Sequence, residues 1–283
     1  MREKIWLALR ESDSVRRLQS VPGLCRIMKN LSYVLLPSYS QRTVELQSGL
    51  GQGLLMTLNP RWETALWQGN YEVTVQATLE SLLGPGKVFY DVGGGIGFYS
   101  LLAVRLGACS LAFDPDRFNA SCIRHNAEIN GFSSQISVFD MAVYSHTGEV
   151  KVESALQNRG HGNAHVIADE ARLAGLEVTP CTRLDDFIQK NRVPDLVKID
   201  VEGAETEVLK GGRNLFCDAR PHLICEIHDA SNAGSVVKFL QDVGYAHRWL
   251  GSSDLFPVQL VGTPKPENRL LIATRNSSPS FAP

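Results

Sequence analysis

Five acidic residues are the first candidates for chemistry, because each of them ends a hydrophobic run of the chain. The runs are rich in Val, Ile, Leu and Phe, which predicts buried β-strands, and the acids are Asp91, Asp114, Asp140, Asp200 and Glu226. Helical segments alternate with these strands, so we expect a mostly parallel sheet. The carboxyl ends of parallel strands meet at one edge, where α/β folds bind ligands. We therefore expect the five carboxylates to converge there, suited to binding hydroxyl groups, accepting a proton or holding a cation.

A glycine-rich turn follows the strand that carries Asp91. Its pattern is Asp91-x-Gly93-x-Gly95-x-Gly97, and an apolar helix begins directly after it. A strand, a glycine turn and a helix N-terminus together predict a nucleotide site, because backbone can approach a ligand closely where no Cβ intervenes. Phe98 stands where a dinucleotide fingerprint requires its third glycine, which argues against an NAD-dependent oxidoreductase. The pattern instead resembles motif I of class I S-adenosylmethionine-dependent methyltransferases.

The next two acids along the chain are candidate cofactor ligands. Asp114 lies about 20 residues beyond the glycine turn, where α/β nucleotide folds place the carboxylate that accepts hydrogen bonds from ribose hydroxyls. A helix N-cap is a second, compatible role for it. In methyltransferases of this class an acid or amide at the position of Asp140 accepts from the adenine amino group, although Asp also ends strands as a turn former. The remaining candidates adjoin these acids or open the helix before the glycine turn: Pro115, Met141, Ala142, Tyr71 and Glu72.

The most specific signal is the block at residues 198–205, which reads Lys-Ile-Asp-Val-Glu-Gly-Ala-Glu. With residues 89–93, 112–115, 182–187 and 208–212, it resembles the FkbM family of S-adenosylmethionine-dependent methyltransferases over about residues 44–274. Two positions depart from the family pattern: Gly94-Gly95 replaces the more frequent Ala-Asn, and Asp114 replaces the more frequent Glu. Both changes keep the chemistry.

The resemblance implies a fold, a cofactor and a class of acceptor. The fold is a Rossmann-like, doubly wound α/β domain with a mostly parallel seven-stranded sheet and an antiparallel last strand, which we expect at residues 269–274. The cofactor is S-adenosylmethionine. The acceptor is a hydroxyl group of a sugar or of a secondary metabolite, presented by a small molecule or a glycan.

Asp200 is the preferred catalytic residue, since it ends the strand that should lie beside the cofactor strand. Methyl transfer requires in-line alignment of the acceptor, and an alcohol also benefits from a base that takes its proton. Glu202 and His228 are further catalytic candidates, and Glu205 and Glu226 are candidate acceptor-binding residues. For Glu202 and Glu205 the alternative is compensation of the helix dipole. A rival arrangement has Asp200, Glu226 and His228 hold a divalent metal, and this oxygen-rich set suits magnesium.

A long segment, residues 144–180, separates the third and fourth strands of the expected sheet. It exceeds a plain crossover and contains two strand-like pieces, at residues 149–154 and 176–181, on either side of a polar, glycine-rich loop. Long polar loops on an α/β scaffold commonly carry substrate contacts. The candidate acceptor-binding residues of this loop are His161, Asn163 and His165.

Composition narrows the function classes. The chain of 283 residues carries 28 Lys+Arg against 30 Asp+Glu, and this net charge of −2 does not favour a nucleic-acid partner. Charges interrupt the N-terminal segment and no apolar run is long enough for a bilayer, so we expect neither a signal peptide nor a transmembrane segment. The 6 cysteines contain no C-x-x-C pair, which favours reduced thiols in a cytoplasmic protein.

The chain divides into three predicted parts. Residues 1–43 form an N-terminal helical extension, residues 44–276 the methyltransferase domain, and residues 277–283 a disordered tail. Residues 44–58, with glycines in the middle, predict a β-hairpin. A protein of the same fold that binds S-adenosylmethionine or a metabolite without turnover is the alternative to an enzyme.

Overall fold

The computed structural model describes residues 41–60, 63–153, 165–166, 177–250 and 258–264. The predictions for residues 1–40, for His161 and Asn163, and for the tail lie outside these ranges. The described strands are β1 (Arg42–Glu45), β2 (Leu55–Leu58), β3 (Val88–Val92), β4 (Cys109–Phe113), β5 (Ile136–Phe139), β6 (Ala142–Val143), β7 (Gly148–Glu153), β8 (His165–Val166), β9 (Glu177–Thr182), β10 (Leu196–Ile199), β11 (His222–Ile227), β12 (Tyr245–Leu250) and β13 (Val258–Pro264). The described helices are α1 (Thr64–Gln68), α2 (Val73–Leu82), α3 (Phe98–Arg105), α4 (Arg117–Ile129), α5 (Leu184–Phe187), α6 (Glu205–Gly211) and α7 (Ala230–Asp242), and a π-helical turn spans Leu215–Ala219.

Seven strands form the main sheet, in the order β12-β13-β11-β10-β3-β4-β5. Neighbours from β11 to β5 pair in parallel, and β13 runs antiparallel to both β11 and β12. The predicted α/β fold with an antiparallel strand is therefore confirmed. The described antiparallel strand is β13, and the prediction of a last strand at residues 269–274 lies outside the described ranges. Gly262 and Pro264 favour a loop by sequence, but burial of Val258 and Leu260 between β11 and β12 stabilises a strand.

Apolar clusters cover both faces of the sheet. One contains the inward side chains of β1, β2 and helices α1 to α4, and the other contains those of α5, α6, the π-helical turn and α7. Strands buried on both faces read as continuous apolar runs, and all five residues of β3 are buried accordingly. Within the described ranges, no helix has the length and apolar character needed to cross a membrane.

The predicted hairpin is formed by β1 and β2, which pair antiparallel from Arg42 opposite Leu58. Its first strand begins just inside the segment assigned to the extension. Two asparagines of α4 hold β2: the Thr57 amide donates to Asn126 Oδ1 at 2.7 Å, and the Leu55 amide donates to Asn130 Oδ1 at 2.9 Å. The hairpin thus packs on the domain rather than standing apart from it.

A second, four-stranded sheet, in the order β6-β9-β7-β8, accounts for the long segment between β5 and β10. Both strand-like pieces of the prediction are present, as β7 and β9, and they pair antiparallel. Thr179 of β9 donates from Oγ1 to the carbonyl oxygen of Pro115 at 3.4 Å, which ties this sheet to the end of β4. Of the predicted loop residues only the backbone of His165 is described, as part of β8.

Candidate active site

A pocket opens at the carboxyl ends of β3, β4 and β10. In this part of the sheet the chain reverses its direction of winding, since β3 has β4 on one side and β10 on the other. Ligands of open α/β sheets bind at such a switch point. The lining comprises Tyr71, Val92, Gly93, Gly94, Gly95, Ile96, Phe98, Tyr99, Phe113, Asp114, Pro115, Met141, Ala142, Val143, Lys198, Asp200, Val201 and Glu202.

The glycine-rich turn forms one wall of the pocket. Gly93 has a φ of +82°, and a Cβ on it would lie 1.8 Å from the carbonyl oxygen of Asp200, so β3 and β10 can approach only with glycine there. Gly95 has a φ of +55°, but a Cβ on it would meet no described atom within 4 Å. Gly97 is the N-cap of α3. Gly93 is therefore required for the close approach of β3 and β10, whereas the absence of a side chain at Gly95 leaves open space along the pocket.

Asp114 lines the pocket and fixes the glycine turn. It is buried, and its Oδ2 accepts from the Gly95 amide at 2.8 Å while its Oδ1 accepts from the Asp116 amide at 3.0 Å. Burial raises the pKa of Asp114 to about 7, against the lowering effect of these backbone hydrogen bonds. The N-cap of α4 is Asp116, which accepts from the Phe118 amide at 2.7 Å. The helix-capping role considered for Asp114 is thus performed by Asp116.

Asp91 lies beneath the turn and outside the pocket lining. Ser100 donates from Oγ to Asp91 Oδ2 at 2.6 Å, and no described group donates to Oδ1, although the side chain is only 1% exposed. Burial raises the pKa of Asp91, and the charge of Lys198 opposes that shift. A buried acceptor without a donor is rare in proteins, and here it adjoins a turn with open space at Gly95. Both features fit a bound nucleotide cofactor with donor groups.

The far end of the pocket, at β5 and β6, is apolar. Met141 and Ala142 line it, and so does Pro115. Asp140 does not, because its carboxylate forms an ion pair with Arg124 on α4. Its expected hydrogen bond to adenine stays a prediction that would require this ion pair to open.

Tyr71 and Glu72 stand at the entry of α2. Tyr71 lines the pocket and packs edge-on against Phe98, with ring centroids 6.0 Å apart. Glu72 accepts a hydrogen bond from the Tyr99 hydroxyl and has a φ of +43°. A left-handed conformation costs a non-glycine residue free energy and is concentrated at functional sites.

Lys198 is a pocket residue that the sequence analysis used only as part of a family pattern. It is 2% exposed; its Nζ lies 2.7 Å from Asp200 Oδ2 and 4.7 Å from the centroid of the Tyr99 ring. Burial lowers its pKa, but the charges of Asp200 and Asp91 outweigh burial and raise it overall. The signal that could have revealed it is a lysine within an otherwise apolar strand.

His228 follows β11 and lies among four carboxylates. Its Nδ1 is 2.7 Å from Glu205 Oε1, while its Nε2 is 3.3 Å from Glu202 Oε2, 3.6 Å from Asp200 Oδ1 and 3.9 Å from Glu226 Oε1. Burial lowers the pKa of His228, but the hydrogen bond with Glu205 and the charges of Glu202 and Asp200 raise it to about 9.

Glu205 is completely buried and occupies a structural position. Besides facing His228, its carboxylate accepts from the Gly203 amide at 2.8 Å and from Asn232 Nδ2 at 2.8 Å. The predicted direct contact with an acceptor stays a prediction that would require one of these partners to be displaced. Glu205 orients the imidazole of His228.

Glu226 completes the acidic cluster. Gln259 of β13 donates to its Oε2 at 3.4 Å. Burial and the charges of Asp200 and Glu72 raise the pKa of Glu226 to about 7. The pocket lining therefore runs from apolar side chains at β5 and β6, past the glycine turn and Asp114, to Asp200 and Glu202 after β10. Glu226 and His228, at the end of β11, are not part of this lining.

Comparison with solved structures gives the FkbM methyltransferase from Methylobacillus flagellatus KT, with a TM-score of 0.47 and 17% sequence identity. The match covers 67% of this chain and 51% of that chain, so this protein spans about half the length of the solved relative.

Sequence comparison gives relatives of similar length. A protein named 31-O-demethyl-FK506 methyltransferase FkbM, from Streptomyces tacrolimicus, is 29% identical over 192 residues, which cover 58% of this chain and 74% of that one. A putative methyltransferase from Jannaschia sp. (strain CCS1) is 25% identical over 224 residues, covering 72% and 80% respectively. The family model described as the methyltransferase FkbM domain matches residues 91–246, more than half of the chain. The chain is therefore a member of the FkbM methyltransferase family, which implies S-adenosylmethionine as its methyl donor.

Proposed function

We propose that this protein transfers a methyl group from S-adenosylmethionine to a hydroxyl oxygen of a sugar or secondary-metabolite acceptor. The observation that carries the proposal is the arrangement of polar groups in the pocket, in which a nucleotide-type glycine turn leads to the carboxylates of Asp200 and Glu202 after β10. The relative from Streptomyces tacrolimicus, whose name specifies an O-demethylated acceptor, supports oxygen as the methylated atom.

The residues proposed to hold the cofactor follow the pocket from its apolar end. Met141, Ala142 and Pro115 flank the adenine, and Asp114 accepts from the ribose hydroxyls. The backbone of the glycine turn, with Tyr71 and Glu72, holds the methionine part. Bound S-adenosylmethionine supplies an electrophilic methyl group on a sulfonium.

The acidic end is proposed to receive the acceptor. Asp200 and Glu202 both line the pocket, so either carboxylate is suited to take the proton of the hydroxyl group. Asp200 is the preferred base, because Lys198 holds its Oδ2 at 2.7 Å and leaves Oδ1 turned toward the cluster. A base held in place removes the cost of orienting it during the reaction. His161, Asn163 and His165 stay predicted acceptor contacts.

The test compares cofactor affinity and turnover in Asp200→Asn. The substitution keeps the shape of the side chain and removes the base, so we expect turnover to fall about 10²–10⁴-fold while the affinity for S-adenosylhomocysteine changes far less. Turnover is measured as labelled methyl transferred to a panel of hydroxylated sugars and polyketides. Near-normal turnover would refute the role of Asp200, and cofactor binding without transfer to any acceptor would favour the non-catalytic alternative.

A further inference from the structure

We propose that Asp200, Glu226 and His228 form a binding site for a divalent cation that holds the oxygens of the acceptor, an inference that rests on the proposed function of the pocket. One ligand atom from each residue lies within 4.8 Å of the other two. His228 Nε2 lies 3.6 Å from Asp200 Oδ1 and 3.9 Å from Glu226 Oε1.

Each of the three side chains is held on its other side by a neighbour. Lys198 Nζ lies 2.7 Å from Asp200 Oδ2, and Gln259 Nε2 lies 3.4 Å from Glu226 Oε2. In both carboxylates the second oxygen, the one turned toward His228, accepts no hydrogen bond from a described group. This leaves a set of oriented and unused acceptors.

The third ligand is oriented by Glu205. Histidines that bind metals almost always donate their other ring N–H to a carboxylate, carbonyl or water, which fixes the tautomer. Glu205 Oε1 lies 2.7 Å from His228 Nδ1, and its carboxylate is held by Gly203 and Asn232. A completely buried carboxylate behind an imidazole serves this arrangement, because it holds Nδ1 and leaves Nε2 facing the carboxylates of Asp200, Glu202 and Glu226.

The spacing of the ligand atoms fits a shared ion better than direct hydrogen bonds. Nε2 lies 3.6 Å from Asp200 Oδ1 and 3.9 Å from Glu226 Oε1, both too long for a hydrogen bond. Ligand atoms about 2.1–2.5 Å from one cation stand roughly 3.0–3.5 Å apart when they occupy adjacent positions, slightly closer than the atoms of this cluster. Small side-chain adjustments would complete the coordination.

The local charge also calls for a cation. Four carboxylates, those of Asp200, Glu202, Glu205 and Glu226, surround His228, so they outnumber the positive charges that Lys198 and a protonated His228 can supply together. Burying a carboxylate without a compensating charge is costly. A divalent cation offsets this excess, and two carboxylates with one imidazole suit Mg²⁺ or Mn²⁺.

The cation site narrows the acceptor class. Three protein ligands leave further octahedral positions, so we infer an acceptor with two adjacent oxygens, such as a vicinal diol or a hydroxyl beside a carbonyl. The O–H bond breaks, the methyl group moves from sulfur to oxygen, and the proton passes to Glu202, which lines the pocket. With the cation bound, Asp200 acts as a ligand, so the role of base passes from Asp200 to Glu202, the other carboxylate that lines the pocket.

The experiment is a Mn²⁺ titration of the metal-stripped full chain, followed by electron paramagnetic resonance with and without S-adenosylhomocysteine, and by competition with Mg²⁺. We expect one Mn²⁺ per chain. Asp200→Asn, Glu226→Gln and His228→Ala should each weaken binding at least about 10-fold, and Glu205→Gln about 10–100-fold through the lost orientation of His228. Glu207→Gln is the matched control, because this half-exposed residue of α6 pairs with Lys210 outside the cluster.

The thermal unfolding of every variant is measured alongside, and Glu226→Gln provides a second test if the buried Glu205→Gln does not fold. Mn²⁺ affinity that is equal in the wild type and in all folded cluster variants overturns the site. Full turnover of the chelator-treated enzyme overturns its part in the reaction. If no alcohol is methylated while specific Mn²⁺ binding is present, the proposed function fails and the cation site stands.

Discussion

Among single residues, Asp114 is the one that we propose to join the fold most directly to the cofactor. Its two oxygens hold the amides of Gly95 and Asp116, so the same carboxylate shapes the glycine turn and begins the approach to α4. Ribose hydroxyls would add donors to a group that is already buried. Because burial raises the pKa of Asp114 to about 7, its charge changes near neutral pH.

We predict that cofactor affinity falls as the pH decreases through about 7, because the protonated carboxyl accepts hydrogen bonds less well than the carboxylate. The folded-state pKa lies above the ordinary value of 3.8, so the native state binds the extra proton between these values. This group therefore makes the fold less stable as the pH rises through the same window. Calorimetry with S-adenosylhomocysteine between about pH 6 and 8 tests the first effect.

The control for this prediction is Asp114→Asn, which should bind more weakly and show little change with pH. A wild-type affinity that is constant over the range would contradict the assignment of Asp114 to the ribose.

A second prediction concerns Gly95, where a side chain meets open space. Gly95→Val should abolish binding of S-adenosylhomocysteine, since the new atoms would occupy the volume proposed for the ligand. The variant also carries the strain of a left-handed residue, about 1–2 kcal/mol. Gly131→Val is the matched control: Gly131 has a φ of +71° with no described atom near its Cβ position, and it lies outside the pocket lining. We expect Gly131→Val to lose as much stability as Gly95→Val in thermal unfolding but to keep its affinity for S-adenosylhomocysteine in calorimetry. Unchanged binding in Gly95→Val would refute the site.

On the scale of whole elements, helix α4 connects the hairpin to the glycine turn. Asn126 is fully buried; its Oδ1 accepts from the Thr57 amide at 2.7 Å and its Nδ2 donates to the carbonyl oxygen of Ile96 at 2.8 Å. One side chain therefore holds β2 and the pocket wall together.

We predict that Asn126→Ala lowers the free energy of unfolding by about 2–4 kcal/mol, because it removes a fully buried side chain that pairs two part-buried backbone groups, the Thr57 amide and the Ile96 carbonyl. It should also weaken cofactor binding, since Ile96 lines the pocket. Asn130→Ala, one turn later on the same helix, removes partly exposed hydrogen bonds that water can replace and should cost about 1 kcal/mol or less. Urea unfolding compares the two variants. Equal losses in the free energy of unfolding would show that the burial of Asn126 does not increase its contribution to stability.

Elements were predictable where one local pattern decides them, and less so where distant residues do. The alternation of apolar runs and glycine turns is enough to predict β3, α3 and β12, because the residues within each of these elements determine its secondary structure. Strand β13 depends instead on burial between β11 and β12. Asp185 shows the same limit: it accepts from the Leu215 amide at 2.9 Å, a cap on a turn 30 residues away that no local motif indicates.

The candidate site also has features that the sequence predicts and features that it does not. The strand-end acids and glycines follow from sequence, because strand order alone brings them to one edge. The direction of each side chain does not follow, since it depends on tertiary partners. Arg124 draws Asp140 out of the pocket lining, while Asn232 and His228 draw Glu205 into the interior.

At the scale of the whole molecule, negative charge is concentrated around His228, which the nearly neutral composition does not indicate. The chain has a net charge of only −2, yet carboxylates from α6, the turn before it and the ends of β10 and β11 meet around His228. Such a pocket repels acceptors that carry phosphate or carboxylate groups near the reacting hydroxyl. We therefore expect the acceptor to be a neutral polyol or a compound that binds together with a cation.

The final prediction is that S-adenosylhomocysteine stabilises the entire domain, while NAD does not. The pocket joins β3, β4 and β10 in the middle of the sheet, so a ligand bound there is lost on unfolding of the domain. At about 100 times its dissociation constant, a ligand adds about 2.7 kcal/mol to the free energy of unfolding, which corresponds to a rise of roughly 5–10 °C in Tm. Differential scanning fluorimetry measures this shift, with Gly95→Val as the non-binding control. An equal shift with NAD would contradict the cofactor assignment, because Phe98 replaces the third glycine that a dinucleotide requires.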